Sequence, residues 1–137
     1  MALSDFIVTT LALEASHARL GWGLPARLYG IEPDHTWTQV DEGEPYRIVE
    51  LFTLLPGEEF VAVALVCEGW AGPPNEGRPS RHPRRERIRT AVTVGRDGCR
   101  VSVLRRRGGE PEVIEGSQGA LMELLLAVWP RIVAGGN

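Results

Sequence analysis

The run Phe60-Val-Ala-Val-Ala-Leu-Val-Cys67 decides how this chain folds. Every residue in it is apolar, several are β-branched, and the run stops at Glu68. A continuous apolar run of this length, without alternation, is typical of a strand that is buried on both faces of a sheet. Such a strand needs other strands beside it and a layer of structure above and below it, which the rest of the chain must supply.

Two alternating segments, Ile88–Gly95 and Cys99–Arg107, predict a hairpin, because Arg96-Asp97-Gly98 joins them. Asp-Gly between alternating runs is typical of a two-residue type I′ loop, which needs positive φ at both positions. That loop predicts a register in which Arg89 lies opposite Arg106 on a solvated polar face. Like charges directly opposite one another are unfavourable, so this pair should have water, a carboxylate or an anion between its members. The predicted pairs on the other, apolar face are Arg96 with Cys99, Val94 with Val101 and Val92 with Val103.

The N-terminal segment Leu3–Leu20 has the pattern of an amphipathic helix. Ser4 can cap its first turn, and Gly21 can supply the left-handed residue that follows its last turn. His17 suits the last turn, where the helix dipole favours a basic residue, so we interpret it as a helix-end residue rather than a ligand. The predicted apolar stripe consists of Leu3, Ile7, Leu11, Ala15 and Ala18.

The remaining segments predict further strands and helices around the central strand. Ala26–Ile31 and His35–Val40 have the pattern of strands, and Asp41–Glu44 is predicted as an acidic loop. Pro45–Leu55 fits both helical spacing and alternation, and the flanking prolines favour a helix. Pro111–Ile114 is predicted as a short edge strand.

The segment Gln118–Trp129 is predicted as a helix that is apolar on all sides. A helix of this kind is buried on more than one side, which in a small protein indicates a subunit interface and therefore a homodimer. Residues 1–137 are predicted to form a single α+β domain. We expect a mixed, mostly antiparallel sheet of four to six strands, with N- and C-terminal helices packed on it.

Composition places the chain among ordinary globular proteins, with 43% hydrophobic and 24% charged residues. Cys67 and Cys99 have neither metal-type nor redox spacing, and we expect no signal peptide and no membrane span, so the predicted location is cytoplasmic. All fifteen basic residues are arginines. Charge is divided along the chain: residues 1–77 have a net charge of −9 and residues 78–137 a net charge of +6.

The connection Gly69–Arg87 is unusually long and basic, with four prolines, three glycines and five arginines. Loops longer than about 12–15 residues without regular structure are uncommon, and they are usually functional or disordered. Two interpretations stay open. The arginines either pair with the acidic first half of the chain and hold the connection down, or they bind an anion or an acidic partner.

Four segments of the sequence resemble one group of known proteins. Gly21-Trp-Gly-Leu-Pro-Ala-Arg-Leu-Tyr29, the strand ending at Glu68, Ser80-Arg-His-Pro-Arg84 and the turn Arg96–Gly98 occur in this order. The series is similar to small uncharacterised proteins of actinobacteria and their phages. Those proteins combine a Gly-Trp-x-x-Pro-x-Arg-Leu-Tyr segment with a Ser-x-His-Pro-x-Arg segment before a strand. The resemblance implies a cytoplasmic bacterial protein and no particular chemistry.

Catalytic chemistry has little support in the sequence. Glu68 followed by Ser80–Pro83 resembles part of the JAMM metalloprotease arrangement, but Ser80 and Arg81 stand where that family has His and Ser, and no Asp follows before Asp97. A catalytic zinc site needs three protein ligands, and this pattern supplies two. Motifs for a nucleophile elbow or a phosphate loop are also missing. We therefore predict no metal, no cofactor and no catalytic residue.

The sequence favours a non-enzymatic binding or adaptor module whose partner is an anionic ligand or an acidic protein. One alternative is a small enzyme, such as a hydrolase, that acts on an anionic substrate at Glu68, His82 and the arginines. The other is a weak nucleic-acid binder, which the net charge of −3 and the lack of aromatic residues between the arginines of the connection argue against. The candidate binding residues are Glu68, Trp70, Arg81, His82, Arg84, Arg89 and Arg106.

Overall fold

Six strands in one antiparallel sheet, with a helix packed on one face, form the described part of the chain. The computed structural model describes residues 3–43, 60–72, 77, 81–96 and 98–115. The elements are helix α1 (Leu3–Leu20) and strands β1 (Ala26–Ile31), β2 (Trp37–Gly43), β3 (Ala62–Ala71), β4 (Glu86–Gly95), β5 (Arg100–Arg106) and β6 (Pro111–Glu115). The strand order is β2-β1-β3-β4-β5-β6, and each described pairing is antiparallel. The prediction of an α+β fold with a mostly antiparallel sheet is confirmed.

Strand β3 lies at the centre of the sheet, between β1 and β4. Its residues from Ala62 to Val66 are all buried, so the predicted burial of both faces is confirmed. The strand does not stop at Glu68, because pairing with β4 continues as far as Ala71 opposite Glu86. The connection predicted at Gly69–Arg87 is therefore too long at both ends: regular strand structure takes up its first and last residues, and 72–85 remain.

Helix α1 packs across β4 and β5, and its bounds agree with the prediction. Its last turn is followed by Gly21, which has a φ of 99°. The predicted apolar stripe does not form the most buried face of α1: Ile7 and Leu11 pack against the core but are only partly buried, as are Ala15 and Ala18. Polar side chains that find partners on the sheet share the buried face instead, as when Thr10 Oγ1 lies 2.7 Å from Thr93 Oγ1. The buried residues of α1 are Phe6, Thr9, Thr10, Leu13, Glu14 and His17.

The β4–β5 hairpin has a register one residue away from the predicted one. The N–H of Gly95 donates to the carbonyl of Cys99 at 2.8 Å, so the closing pair is separated by three residues rather than two. Gly98 N–H donates to the Gly95 carbonyl at 3.0 Å and Gly98 has a φ of 90°, as in a loop closed by a G1 bulge. A shift of one residue exchanges the faces, so Arg89 lies opposite Arg105 and not Arg106. The predicted apolar pairs are also wrong: Val94 lies opposite Arg100, and Val92 opposite Ser102.

Strand β2 occupies the segment where the sequence predicted a short strand and then an acidic loop. It begins at Trp37 rather than His35 and continues to Gly43, so Asp41 and Glu42 belong to the strand. Pairing with β1 continues to Ala26 opposite Gly43, with a register shift between Leu28 and Tyr29. Charged residues are common in strands at the edge of a sheet, where they discourage pairing with other chains. The location of β2 at an edge of the described sheet therefore explains its acidic sequence.

The remaining predicted strands lie within the described residues, and the remaining predicted helices do not. Strand β6 confirms the edge strand predicted at Pro111–Ile114, and β1 confirms the strand predicted at Ala26–Ile31. The helices predicted at Pro45–Leu55 and Gln118–Trp129 lie outside the described residues. Among the residues that are described, no helix combines the length and the apolar character needed to cross a membrane.

We expect Gly98→Val to lower the free energy of unfolding by about 1–3 kcal/mol, because a β-branched residue resists positive φ. Lack of space is not the cause, since a Cβ at Gly98 would meet no atom within 4 Å. The matched control is Gly69→Val, because Gly69 has equally open surroundings but no positive φ. That variant should stay within about 0.5 kcal/mol of the wild type. Urea denaturation measures both variants, and equal stability of the two would contradict the loop geometry.

Candidate functional site

The guanidinium group of Arg89 is fully buried beneath helix α1. Its Nη1 donates to Glu14 Oε2 at 3.2 Å, and its Nη2 lies 3.5 Å from Glu68 Oε2 and donates to the carbonyl of Gly21. The ring centroid of Trp22 lies 4.5 Å from the guanidinium carbon. A buried charge is costly unless it is paired and hydrogen-bonded. These contacts satisfy both terminal nitrogens of Arg89, while its buried Nε has no hydrogen-bond partner among the described residues. The expectation that Arg89 lies on a solvated face is therefore wrong.

Glu14 is also fully buried, and it joins two arginines from neighbouring strands. Its Oε1 lies 2.8 Å from Arg105 Nη2, while its Oε2 accepts from Arg89. Arg89 and Arg105 are directly opposite each other in the hairpin, where two like charges would repel. The Glu14 carboxylate offsets this repulsion, and its hydrogen bond raises the pKa of Arg105. The sequence predicted water, a carboxylate or an anion between Arg89 and Arg106; the structure has a carboxylate, but the opposed pair is Arg89 and Arg105.

Glu68 connects the turn after α1 to strand β4. Its carboxylate accepts the backbone N–H groups of Gly23 at 2.8 Å and Leu24 at 3.0 Å, and Nη2 of Arg87 at 2.9 Å. Burial acts to raise the pKa of Glu68, but the hydrogen bonds from Leu24, Gly23 and Arg87 outweigh it and lower that pKa below its ordinary value. The side chain is 4% exposed. Its oxygens are therefore engaged within the fold and do not face solvent.

An exposed aromatic ring lies among arginines at the end of the sheet where strand β3 terminates and strand β4 begins. Trp70 is 38% exposed, and the guanidinium carbons of Arg85 and Arg87 lie 4.7 Å and 5.1 Å from its ring centroid. These distances are within the range of cation–π interactions. The N–H of Arg107 donates to the carbonyl of Arg87 at 2.8 Å, which brings Arg107 to the same end of the sheet. We call Trp70, Arg85, Arg87 and Arg107 the Arg–Trp surface.

The Arg–Trp surface borders an open cleft of about 500 Å³. Clefts that bind small ligands usually measure about 300–1,000 Å³, so the size is suitable for one ligand unit. Its described lining consists of Trp70, Glu86, Arg87, Arg106, Arg107, Gly108 and Gly109. A smaller cleft of about 320 Å³ lies nearby and is lined by Ala71, Gly72, Arg84, Glu86 and Arg106.

Carboxylates neutralise some of the arginines around these clefts but not all of them. Arg106 lies 2.9 Å from Glu86 Oε2 and 3.1 Å from Glu112 Oε1, and Arg87 pairs with Glu68. Within the described part of the chain, Arg85 and Arg107 have no carboxylate at ion-pair distance. The Arg–Trp surface therefore keeps positive charge that can attract an anion.

The structure separates the predicted binding residues into two groups. Trp70 belongs to the Arg–Trp surface, and Arg84 and Arg106 line the clefts beside it. Glu68 and Arg89 belong instead to the buried ion network. Their charges are thus compensated inside the fold, whereas Trp70, Arg84 and Arg106 are exposed at the surface, where Arg106 is also paired with Glu86 and Glu112.

Arg81 and His82 lie on the connection between β3 and β4. Arg81 is exposed. His82 is half-buried, and its Nδ1 accepts the backbone N–H of Arg84 at 3.0 Å, while its carbonyl accepts that of Arg85 at 3.2 Å. His82 therefore shapes the last turn before β4. A binding role for either residue stays a prediction.

Sequence reasoning missed the polar residues of α1 that face the sheet. His17 does lie in the last turn, as predicted, but it is also buried, and its Nε2 lies 2.7 Å from Tyr29 Oη. The signal that indicates this face is the recurrence of Phe6, Thr10, Leu13 and His17 at helical spacing. Thr10 and His17 make this face hard to recognise, because a buried helix face is normally identified by apolar residues and these two are polar.

Burial lowers the pKa of His17 to about 4, and the positive charges of Arg27 and Arg89 lower it further than the carboxylates of Glu14 and Glu68 raise it. His17 is therefore neutral at physiological pH. It packs edge-on against Tyr29, with ring centroids 5.9 Å apart. This pair fixes the end of α1 against β1, and we assign it a structural role.

The described residues offer little for nucleophilic or metal chemistry. Burial raises the pKa of the Cys67 thiol to about 11, so it is protonated at neutral pH and a poor nucleophile. In the part of the chain that the structure describes, no three His, Cys, Asp or Glu side chains are grouped so that they could hold a metal ion. Comparison of the chain with protein-family models, curated proteins and solved structures gave no match.

We expect stability to depend on pH through His17. Its pKa is 6.5 in the unfolded chain and about 4 in the folded one. Between these values the unfolded state binds a proton that the folded state does not, so stability falls as the pH is lowered. The loss between about pH 7 and pH 5 should be about 2 kcal/mol.

The variant His17→Gln can keep a hydrogen bond to Tyr29 but does not titrate. Between pH 7 and pH 5, the free energy of unfolding of this variant should therefore fall by about 2 kcal/mol less than that of the wild type. Urea denaturation at the two pH values gives the comparison. The same pH dependence in the variant and the wild type would show that His17 does not carry the effect.

Proposed function

We propose that the protein is a small cytoplasmic binding module without catalytic activity, which recognises an anionic ligand or an acidic protein partner through the Arg–Trp surface. The observation that carries this proposal is the pair Arg85 and Arg107. Both are exposed, both lie at the end of the sheet beside Trp70, and neither has a carboxylate partner among the described residues. Arginine suits this task, because its planar fork matches carboxylate and phosphate groups.

The alternative of a small enzyme acting at Glu68, His82 and the arginines has less support. Glu68 accepts hydrogen bonds from two backbone N–H groups and from Arg87, and it also faces Arg89. A general base needs a free lone pair directed toward substrate. The low pKa of Glu68 also makes it a weak base at neutral pH. These contacts favour a structural role for Glu68 and a binding role for the surface beside it.

Three further features of this proposal are based on the sequence: the second helix, the oligomeric state and the relatives of the chain. We propose a sheet with helices from both ends of the chain packed on it, a homodimer formed through the helix predicted at Gln118–Trp129, and kinship with the small actinobacterial and phage proteins. The mass of the particle, read by light scattering at micromolar concentration, tests the homodimer. A monomer mass throughout a dilution series would contradict it.

The binding proposal predicts that simple polyanions bind and that the Arg–Trp surface is required. Inorganic tripolyphosphate and polyglutamate are suitable probes, measured by titration calorimetry at low salt. Binding should weaken as salt is raised, because screening reduces attraction between exposed charges. The double variant Arg85→Ala with Arg107→Ala should lose most of the binding. Its stability should stay within about 1 kcal/mol of the wild type, because both side chains are exposed.

The matched control is Arg19→Ala with Arg96→Ala, which has the same net charge. Arg19 lies in the last turn of helix α1, and Arg96 lies in the hairpin loop at the other end of β4; both are exposed. The control should bind like the wild type. The proposal fails if no anionic probe binds the wild type at low salt, or if the control loses as much binding as the Arg85 and Arg107 variant.

A further inference from the structure

Trp70 lies among the arginines because of strand pairing, not because of its position in the sequence. It is paired directly with Arg87 across β3 and β4. The ring therefore lies beside Arg85 and Arg87, although it precedes them by more than a dozen residues. Two features of the sequence argue against nucleic-acid binding: the net charge of −3, and the lack of an aromatic residue between the arginines of the connection. The fold supplies that aromatic residue from the neighbouring strand.

We infer that the ligand of the Arg–Trp surface is single-stranded nucleic acid, with one base stacked on Trp70 and the adjacent phosphates held by Arg85 and Arg107. This inference rests on the proposed function, and it names the class of anion. Proteins that bind single strands combine a basic groove with aromatic rings on which bases stack. A base and a guanidinium group are both planar, so a base can replace a guanidinium group on the ring and release it for a phosphate.

The observations favour a nucleotide chain over an acidic peptide. The carboxylates of a peptide would use the arginines alone and would make no contact with the exposed Trp70 ring. A nucleotide unit uses both, and the cleft of about 500 Å³ beside the ring is large enough for one unit. Bases in a duplex are already stacked on their neighbours, whereas single strands can present an unstacked base to an aromatic side chain. The expected ligand is therefore single-stranded.

The test uses fluorescence anisotropy of labelled oligothymidylate and oligouridylate, which represent the DNA and RNA sources of this chemistry. The key variant is Trp70→Ala, and the matched control is Trp37→Ala, because both rings are 38% exposed and Trp37 lies on β2, at an edge of the described sheet. Loss of one stacked base should weaken binding by roughly 5- to 150-fold in Trp70→Ala. The control should bind like the wild type.

Salt dependence gives a second readout. Two arginines that contact phosphates of a single strand should give a slope of about −1.4 for the logarithm of the binding constant against the logarithm of salt concentration. Arg107→Ala should make the slope less steep by about 0.7. A duplex of the same length should bind more weakly than the single strand.

The outcomes separate this inference from the proposed function. Oligonucleotide binding that depends on Trp70, together with tripolyphosphate binding that does not, supports both. If oligonucleotides bind equally well to Trp70→Ala, or if only tripolyphosphate or polyglutamate binds, the inference is overturned while the proposed function stands. If no oligonucleotide and neither polyanion binds the wild type, both are overturned.

Discussion

The structure depends on the burial of one charged group, the guanidinium of Arg89. Burying a charge without compensation costs several kcal/mol, and removing one partner of a buried ion pair typically costs about 3–5 kcal/mol. Arg89 is compensated by Glu14 from helix α1 and by Glu68 from the central strand. The helix, the turn that follows it and the middle of the sheet must therefore be in place together. Charge complementarity adds a constraint on how α1 docks that apolar packing alone does not provide.

The same network supports the Arg–Trp surface. Glu68 faces Arg89 and also holds Arg87, whose guanidinium group lies by the Trp70 ring. One carboxylate thus connects the buried centre of the protein to the exposed end of the sheet. We expect a preorganised surface to bind more tightly than a mobile one, because fewer side chains lose freedom when the ligand binds. Under the proposed binding function, the buried charges would contribute by holding Arg87 in place, without touching a ligand themselves.

The sequence predicts those parts of the fold in which local pattern and burial agree. The apolar run before Glu68 and the glycine that follows Leu3–Leu20 each have one physical interpretation, and the structure confirms both. The hairpin register was wrong because Asp-Gly suits two loops, which differ by one residue in length and by one face in outcome. The buried face of α1 was missed because a glutamate such as Glu14 is normally assigned to the exposed face of a helix. Its burial is explained only by its two arginine partners, which lie far away in the sequence.

The place of Trp70 among the arginines follows from pairing with Arg87 across the sheet, and no spacing along the chain reveals it. A double-mutant cycle measures whether Arg89 and Glu14 stabilise the fold as a buried pair. The variants are Glu14→Gln and Arg89→Met, alone and together, with the exposed pair Glu86 and Arg106 as the control. The account predicts a coupling energy of about 2–3 kcal/mol for the buried pair and less than about 1 kcal/mol for the exposed one. Additive losses at Glu14 and Arg89 would contradict it.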